Sequence, residues 1–441
     1  MSINSKKKFS FAAVIFKLTL IVLIFPAFSF SQSAGSEDTL KINLNSAEKE
    51  FIQNNLQLLA SRFNISAAKA SVIQAKLWNN PNLSIGQNIY NKITGKFFDV
   101  TKTGNTDIQL QQLFLLAGKR NDQIKLAEIN TSISASSFYD LLRSLKFELR
   151  TDFYDLYFLQ KSLKFYDETI PAVKKTVDAT QNLYQQHSIL LSEVLRLKSL
   201  LFSLENERLG ILTQISGTEN DLNVLLADSS GTRFYYEPAL NKAELDSLNL
   251  NNFSLSDAVQ AAYLNRPDLK IAESNVKYEK TNLALQHALA IPDITLGGAY
   301  SRAGGYVPDY LALTVSIDLP VFNRNQGNIQ VSENNLEADK AALSQTKLSI
   351  RKEVVSAYDK AAEIENFYKN FDRSFTSQYK TLTAGMIENY ESRNMTIIEF
   401  TDFYESYRNS MLQMIQLQDN RMDAFENLNY AAGKDLIVPK D

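Results

Sequence analysis

Leu311-Ala312-Leu313-Thr314-Val315-Ser316-Ile317-Asp318-Leu319 sets apolar side chains on one face of an extended chain and small or polar ones on the other. Alternation sustained over about nine residues is the pattern of a tilted strand that crosses a hydrocarbon layer with its apolar face outward. Ile294 and Leu296, alternating with Thr295, Gly297 and Ala299, give a second such segment. Leu83, Ile85 and Ile89, alternating with Ser84, Gly86 and Asn88, give a third, and Ile108 and Leu110 open a fourth that runs to Leu116. Four strands cannot close a membrane barrel, because the smallest have about eight; chains must pool strands, and three chains supply about twelve. The competing reading of the pattern is a small soluble sheet with one buried face.

Outside these segments the chain is helical. Between Lys119 and Arg208 there is one Pro, Pro171, and no Gly; between Asn328 and Ala432 there is one Gly, Gly385, and no Pro. Leu142, Leu149, Leu156, Leu163, Ile170, Val177 and Tyr184 recur every seven residues in the first stretch. Ile350, Val354, Ala357, Ala361, Ile364, Tyr368, Phe371 and Phe375 step by four and three in the second, as a coiled-coil seam does. Pro171 should bend the first helix or cost it about 3 kcal/mol.

Asn80-Pro81-Asn82-Leu83-Ser84-Ile85-Gly86 aligns with Ile291-Pro292-Asp293-Ile294-Thr295-Leu296-Gly297 at an offset of 211, and Tyr184 and Glu193 align with Tyr390 and Glu399 at 206. Two tandem repeats of helix, two strands and a long helical hairpin result. The first covers 32–227, with strands about 82–91 and 107–116 and a hairpin about 119–227. A linker over 228–254 leads to the second, 255–433, with strands about 293–302 and 311–320 and a hairpin about 325–433, followed by a tail, 434–441.

Lys6, Lys7 and Lys8 precede an apolar run from Leu18 to Phe28 and the small residues around Ser31, so residues 1–31 read as a signal peptide. Its removal, with Lys17, takes the net charge from −3 to −7. No Cys excludes disulfides, thiolate metal sites and a lipidated N-terminal Cys. The acidic balance gives no electrostatic case for nucleic acid as a partner. Without a glycine-rich phosphate loop, a nucleophile elbow or a zinc-binding helix motif, the chain reads as no enzyme and as needing no cofactor; His187 and His287 are isolated and form no metal site.

The repeat, Asn265-Arg266-Pro267-Asp268-Leu269 opening its second copy, Leu116-Ala117-Gly118-Lys119-Arg120 where strand passes to helix, and the segments Tyr184–Leu195 and Tyr390–Phe400 resemble the TolC family of outer membrane efflux proteins over roughly residues 45–433. The resemblance implies a mainly α fold with a β-barrel part. A homotrimer would form a 12-stranded transmembrane β-barrel that continues into a periplasmic α-helical coiled-coil tunnel. It implies an outer membrane lipid environment and docking on a periplasmic adaptor (membrane fusion) protein and an inner-membrane pump of the proton-driven RND type. Small molecules or metal cations would be exported, and the Leu-Ala-Gly-Lys-Arg junction is most similar to members serving heavy-metal exporters. A secreted coiled-coil structural or adaptor protein without a pore is the alternative.

Within that resemblance Glu399, Asp402, Glu193 and Tyr390 are expected at the periplasmic gate. Glu399 and Asp402 lie on one helix face, so threefold symmetry makes a ring of carboxylates that attracts cations and raises some of their pKa values. Met395 replaces the family's gate arginine. The tips, His187, Ser188, Ile189, Leu190 and Leu191 with Arg393, Asn394, Met395, Thr396 and Ile397, expose apolar side chains where a hairpin has no core, which reads as an adaptor-docking surface. Lys119, Arg120 and Arg324 lie at helix starts, where positive charge opposes the dipole, and are expected at the membrane interface or at subunit contacts. Trp78, Tyr90, Tyr300 and Tyr306 flank strands as a candidate interfacial belt.

Overall fold

In the computed structural model, residues 38–227, 234–250, 253–303, 307–371 and 374–438 are described. The expected signal peptide and Tyr306 lie outside them. Of the described residues, 38–40 with 234–235 fall in one unit, and the rest in the other. In chain order the elements are β1 (Asp38–Ile42), α1 (Leu44–Asn54), α2 (Leu56–Ala75), β2 (Asn82–Gln87), β3 (Tyr90–Asn91), β4 (Lys96–Phe97), β5 (Thr106–Phe114), α3 (Lys119–Gln185), α4 (Leu191–Leu226) and β6 (Phe234–Pro238). There follow α5 (Lys242–Ser247), α6 (Leu255–Asn265), α7 (Pro267–Leu289), β7 (Ile294–Ser301), β8 (Tyr310–Ile317), α8 (Gln326–Asn370), α9 (Ser374–Glu391) and α10 (Ile397–Ala432).

The main sheet is antiparallel throughout, in the order β2-β5-β7-β8, so the two repeats meet where β5 pairs with β7 and β2 and β8 are left as edges. One face is apolar and open: Leu83, Ile85, Leu311, Leu313 and Val315 are all more than half exposed. The strand expected over 82–91 stops at Gln87, and 88–105 instead builds a loop around the short β3–β4 ribbon. Small residues face the other way. A Cβ on Gly297 would sit 2.7 Å from the Leu110 carbonyl oxygen and 2.8 Å from Thr314 Oγ1, so neighbouring strands close over a position that only Gly fits.

At 67 residues, α3 is roughly 100 Å long, and it continues through Pro171, which is exposed. Leu149, Leu156 and Val177 are buried as the heptad predicts, while Leu163 and Ile170 are only half-buried. Between them the buried line shifts to Phe158, Ser162, Phe165, Thr169 and Val173, because a helix of 3.6 residues per turn drifts off a strict seven-residue beat. The second seam, expected to reach Phe375, breaks earlier: α8 ends at Asn370, and Phe371 turns extended (φ −73°, ψ 135°). Among the described residues no helix is long and apolar enough to cross a membrane.

The repeat shows in its joints. Both α4 and α10 have 36 residues and end in a left-handed residue, Ala227 (φ 55°) and Gly433 (φ 64°). Asn55, between α1 and α2, donates from Nδ2 to the Leu225 carbonyl at 2.9 Å; Arg266, between α6 and α7, donates from Nη1 to the Ala431 carbonyl at 3.2 Å. The longer Arg266 fills more space, and a Cβ on Gly433 would lie 2.9 Å from its Cγ. Thus the second copy needs Gly where the first tolerates Ala.

Candidate functional site

The hairpin tips are built alike from different residues. His187 (φ 55°) and Arg393 (φ 63°) both occupy the left-handed region where Gly would be unstrained. Each turn is closed the same way. The amides of His187 and Ser188 donate to Tyr184 and Leu183, and those of Arg393 and Asn394 donate to Tyr390 and Asn389. Leu190, Leu191 and Ile398 are exposed, whereas Ile397 and Met395 are half-buried against a core that includes Phe165, Val177, Leu197, Phe400 and Tyr404. Ile398 therefore joins the outward tip surface, and Ile397 belongs largely to the packing beneath it. Between the tips lies a cleft of about 680 Å³ lined by Thr180, Leu183, Ile189, Glu193, Tyr390 and Ile397, among others.

The residues expected at the gate have unlike surroundings. Tyr390 packs within its own chain, its ring 4.8 Å from that of Phe400; burial raises its pKa, opposed by a hydrogen bond with Thr180 and assisted by Glu193. The Glu399 carboxylate turns back to close a capping box, accepting from the Thr396 amide at 2.9 Å and the Thr396 hydroxyl at 2.8 Å. Within the single chain those bonds lower its pKa. At the equivalent start of α4, Leu190 offers no side-chain cap. Asp402 is exposed one turn beyond Glu399.

At the strand-to-helix junction the geometry corrects one expectation. Lys119, expected at the membrane interface or a subunit contact, is buried inside its own chain (2% exposed). Its Nζ lies 2.7 Å from Asp293 Oδ1 and 2.6 Å from the Ile291 carbonyl, and Asp293 Oδ1 also accepts the Leu116 amide at 2.8 Å. Left-handed Ala117 and Gly118 turn the chain so that this amine reaches the second repeat. Arg120 is half-buried, its guanidinium 4.5 Å from the ring of the exposed Trp78 and donating to the Lys76 carbonyl. Arg324 is exposed.

A group that the sequence reading missed lies where α3 packs on α10. Asp155, Asp419 and Asp423 each bring a carboxylate oxygen within 4.8 Å of the others. Asp152 adjoins them, and its Oδ2, with Asp419 Oδ1 and Asp423 Oδ1, is buried and accepts no hydrogen bond among the described residues. Burial first, then Asp155 and Asp423, pushes Asp419 up to about 8. Burial, Asp221, Glu148 and Asp155 push Asp152 up to about 7. Asp423 reaches about 6, with Lys360 opposing the rise. Like charges at i,i+3 in α3 and i,i+4 in α10 were the available signal, since such pairs destabilise a helix unless a proton is shared.

A carboxyl whose folded pKa exceeds its unfolded value binds protons more tightly when folded. Its contribution is complete below the ordinary aspartate value of 3.8 and is lost as pH rises through the folded values, to about 8 for Asp419. Asp419→Asn with Asp423→Asn, which mimic the protonated forms, should therefore stabilise the protein at pH 8 by about 1–2 kcal/mol and leave it nearly unchanged at pH 4. Thermal melts across that range check this; parallel curves for parent and variant would count against shared protons.

The family model described as outer membrane efflux protein matches residues 49–228 and 258–434. The pyoverdine export outer membrane protein OpmQ of Pseudomonas putida is 25% identical over 179 residues, which cover 38% of this chain and 37% of that relative. Among solved structures, the CmeC outer membrane channel of Campylobacter jejuni superposes with a TM-score of 0.74 at 14% identity, covering 90% of this chain and 87% of that one. The open state of the Neisseria gonorrhoeae MtrE outer membrane channel gives a TM-score of 0.68 at 15% identity, covering 89% of each. The chain thus shares the fold of these channels over most of its length and belongs to the outer membrane efflux protein family.

Proposed function

We propose that the chain is one third of a passive export duct: a homotrimer with a pooled barrel in the outer membrane and a helical tunnel in the periplasm. Its tips dock on a periplasmic adaptor and an inner-membrane pump of the RND type, and small molecules or metal cations pass through it. The observation that carries this reading is the four-stranded sheet, apolar on its open face and unpaired at both β2 and β8. Three such sheets, joined edge to edge, close without leaving a strand edge in lipid. The name of OpmQ supports small-molecule cargo. In the trimer Asp402 and Glu193 line the constriction, with Glu399 adding its field from the helix cap.

The internal repeat supplies the register of the seam. With β2 matched to β7 at 211, the two hairpin registers match β5 to β8 at 207, and the β5–β7 pairing transfers to β8 against a neighbour's β2. Leu319 then faces Ile85 of the next protomer, both on the apolar side. The chain has no Cys, so Ile85→Cys with Leu319→Cys tests this without background. Oxidation should yield a covalent trimer on denaturing gels. Recovery of monomers alone from well-expressed protein would refute the pooled barrel, and cross-linking only from a shifted position would refute the register.

A further inference from the structure

The loop between β2 and β5 is far more densely hydrogen-bonded than a connection needs to be. Asp99 is buried at 3% exposure, and its carboxylate accepts from Asn91 Nδ2 (2.9 Å), Thr94 Oγ1 (3.0 Å), Thr101 N (3.0 Å), Thr101 Oγ1 (2.5 Å) and Thr103 Oγ1 (3.0 Å). These bonds, led by that of Thr101, hold its pKa well below the usual carboxylate range. Asn91, also buried, donates to the Thr103 carbonyl at 2.7 Å. Phe98 N donates to the Ile89 carbonyl at 2.8 Å, and Arg302, from the second repeat, donates to the Val100 carbonyl. A Cβ on Gly104 would fall 1.5 Å from the Asp99 carbonyl oxygen, so the chain closes there on a position without a side chain.

This scaffold turns its apolar side chains outward. Ile93 is 94% exposed, Phe97 70%, Val100 67% and Phe98 61%. Lys92, Lys96 and Lys102 are exposed between them, and none forms an ion pair among the described residues. The loop's one carboxylate, Asp99, is consumed inside, so its surface is cationic in a chain whose net charge is −3. Ile89, 65% exposed, extends the open apolar line of Leu83 and Ile85 into the loop. The corresponding connection in the second repeat, residues 302–309, is much shorter, so the loop is an addition to the repeat and not part of closing it.

We propose that this loop is a preformed clamp for the outer leaflet, with Ile93, Phe97 and Phe98 seated among lipid chains and the three lysines on anionic phosphate headgroups. The proposal rests on the outer-membrane orientation above, which puts the sheet end remote from the helices on the outer side. Aromatic and apolar side chains flanked by lysines suit the boundary between hydrocarbon and charged headgroups, where each part of the loop finds its own solvent. An ordered loop also enters that boundary without the entropy loss of a flexible one. A neighbouring protein surface would need acidic groups matched to three fixed lysines, whereas a leaflet of phosphates supplies negative charge everywhere.

Phe97→Trp in the Ile85→Cys/Leu319→Cys cross-linked trimer tests it, because a covalent trimer shows that the duct has formed before the loop is probed. The trimer is reconstituted in vesicles of phosphatidylcholine, alone or mixed with phosphatidylglycerol, with and without lipids brominated near the carbonyl; the parent, with Trp78 only, sets the baseline. The expected result is blue-shifted emission from the introduced tryptophan, quenched by the brominated lipid, with stronger quenching in the mixed vesicles. In the Lys92→Gln/Lys96→Gln/Lys102→Gln variant the phosphatidylglycerol effect should fall by more than half. Water-like emission overturns the proposal, as does a blue shift without quenching, which marks burial by protein. An undiminished phosphatidylglycerol effect in the lysine variant overturns the headgroup contact.

Discussion

Export should fall to background, with trimers still in the membrane, when Leu190 and Ile398 are both changed to Asp. The two side chains are 69% and 62% exposed at the hairpin ends, where nothing among the described residues covers them. Burial against an adaptor would contribute roughly 1.5–3 kcal/mol each, and a carboxylate placed in that contact adds a desolvation cost. Since about 1.4 kcal/mol is tenfold in affinity, the pair is worth a thousandfold or more in docking. Ile397 is the wrong target, because its packing beneath the tip would confound a docking loss with a folding loss. Export assays beside trimer quantification decide the matter: undiminished export at normal trimer levels removes both residues from the docking surface.

Asp293→Ala is expected to destabilise the protein strongly. It leaves the Lys119 amine buried beside one carbonyl and orphans the Leu116 amide, and breaking a buried pair from one side costs about 3–5 kcal/mol. Lys119→Met should cost less. The double variant Lys119→Met/Asp293→Asn should recover most of the loss, because Asn still accepts from Leu116 and no charge remains buried. Melting temperatures and membrane levels of the three variants give the order. If the double variant were no better than Asp293→Ala, the damage would lie in backbone geometry and not in the charge.

What could be read from the chain was what is local or periodic. Alternation along 311–319 needed only neighbours two apart, and the repeat needed only an offset, so the strands and the hairpins follow from short windows, whereas the left-handed turns at His187 and Arg393 emerge only from the backbone. Lys119 was misplaced because its partner, Asp293, is 174 residues away and becomes a neighbour only when the repeats join at β5–β7. The carboxylates of Asp155 and Asp419 look like ordinary solvated charges until α3 and α10 pack. The break after Asn370 carries no Gly or Pro and interrupts a regular apolar seam, so no local signal marks it. The loop around Asp99 is a network of side chains on side chains, which no periodicity encodes.

The unpaired edges at β2 and β8 also set a kinetic order. In hydrocarbon each bare amide or carbonyl costs several kcal/mol, and a lone protomer would carry a row of them along both edges. On the proposed pooled barrel, a single chain is strongly disfavoured in the bilayer, and insertion is expected to follow association. The rate at which barrels appear in a membrane should then rise with more than the first power of chain concentration, and dilution should strand intact protomers in the aqueous phase long before it unfolds them.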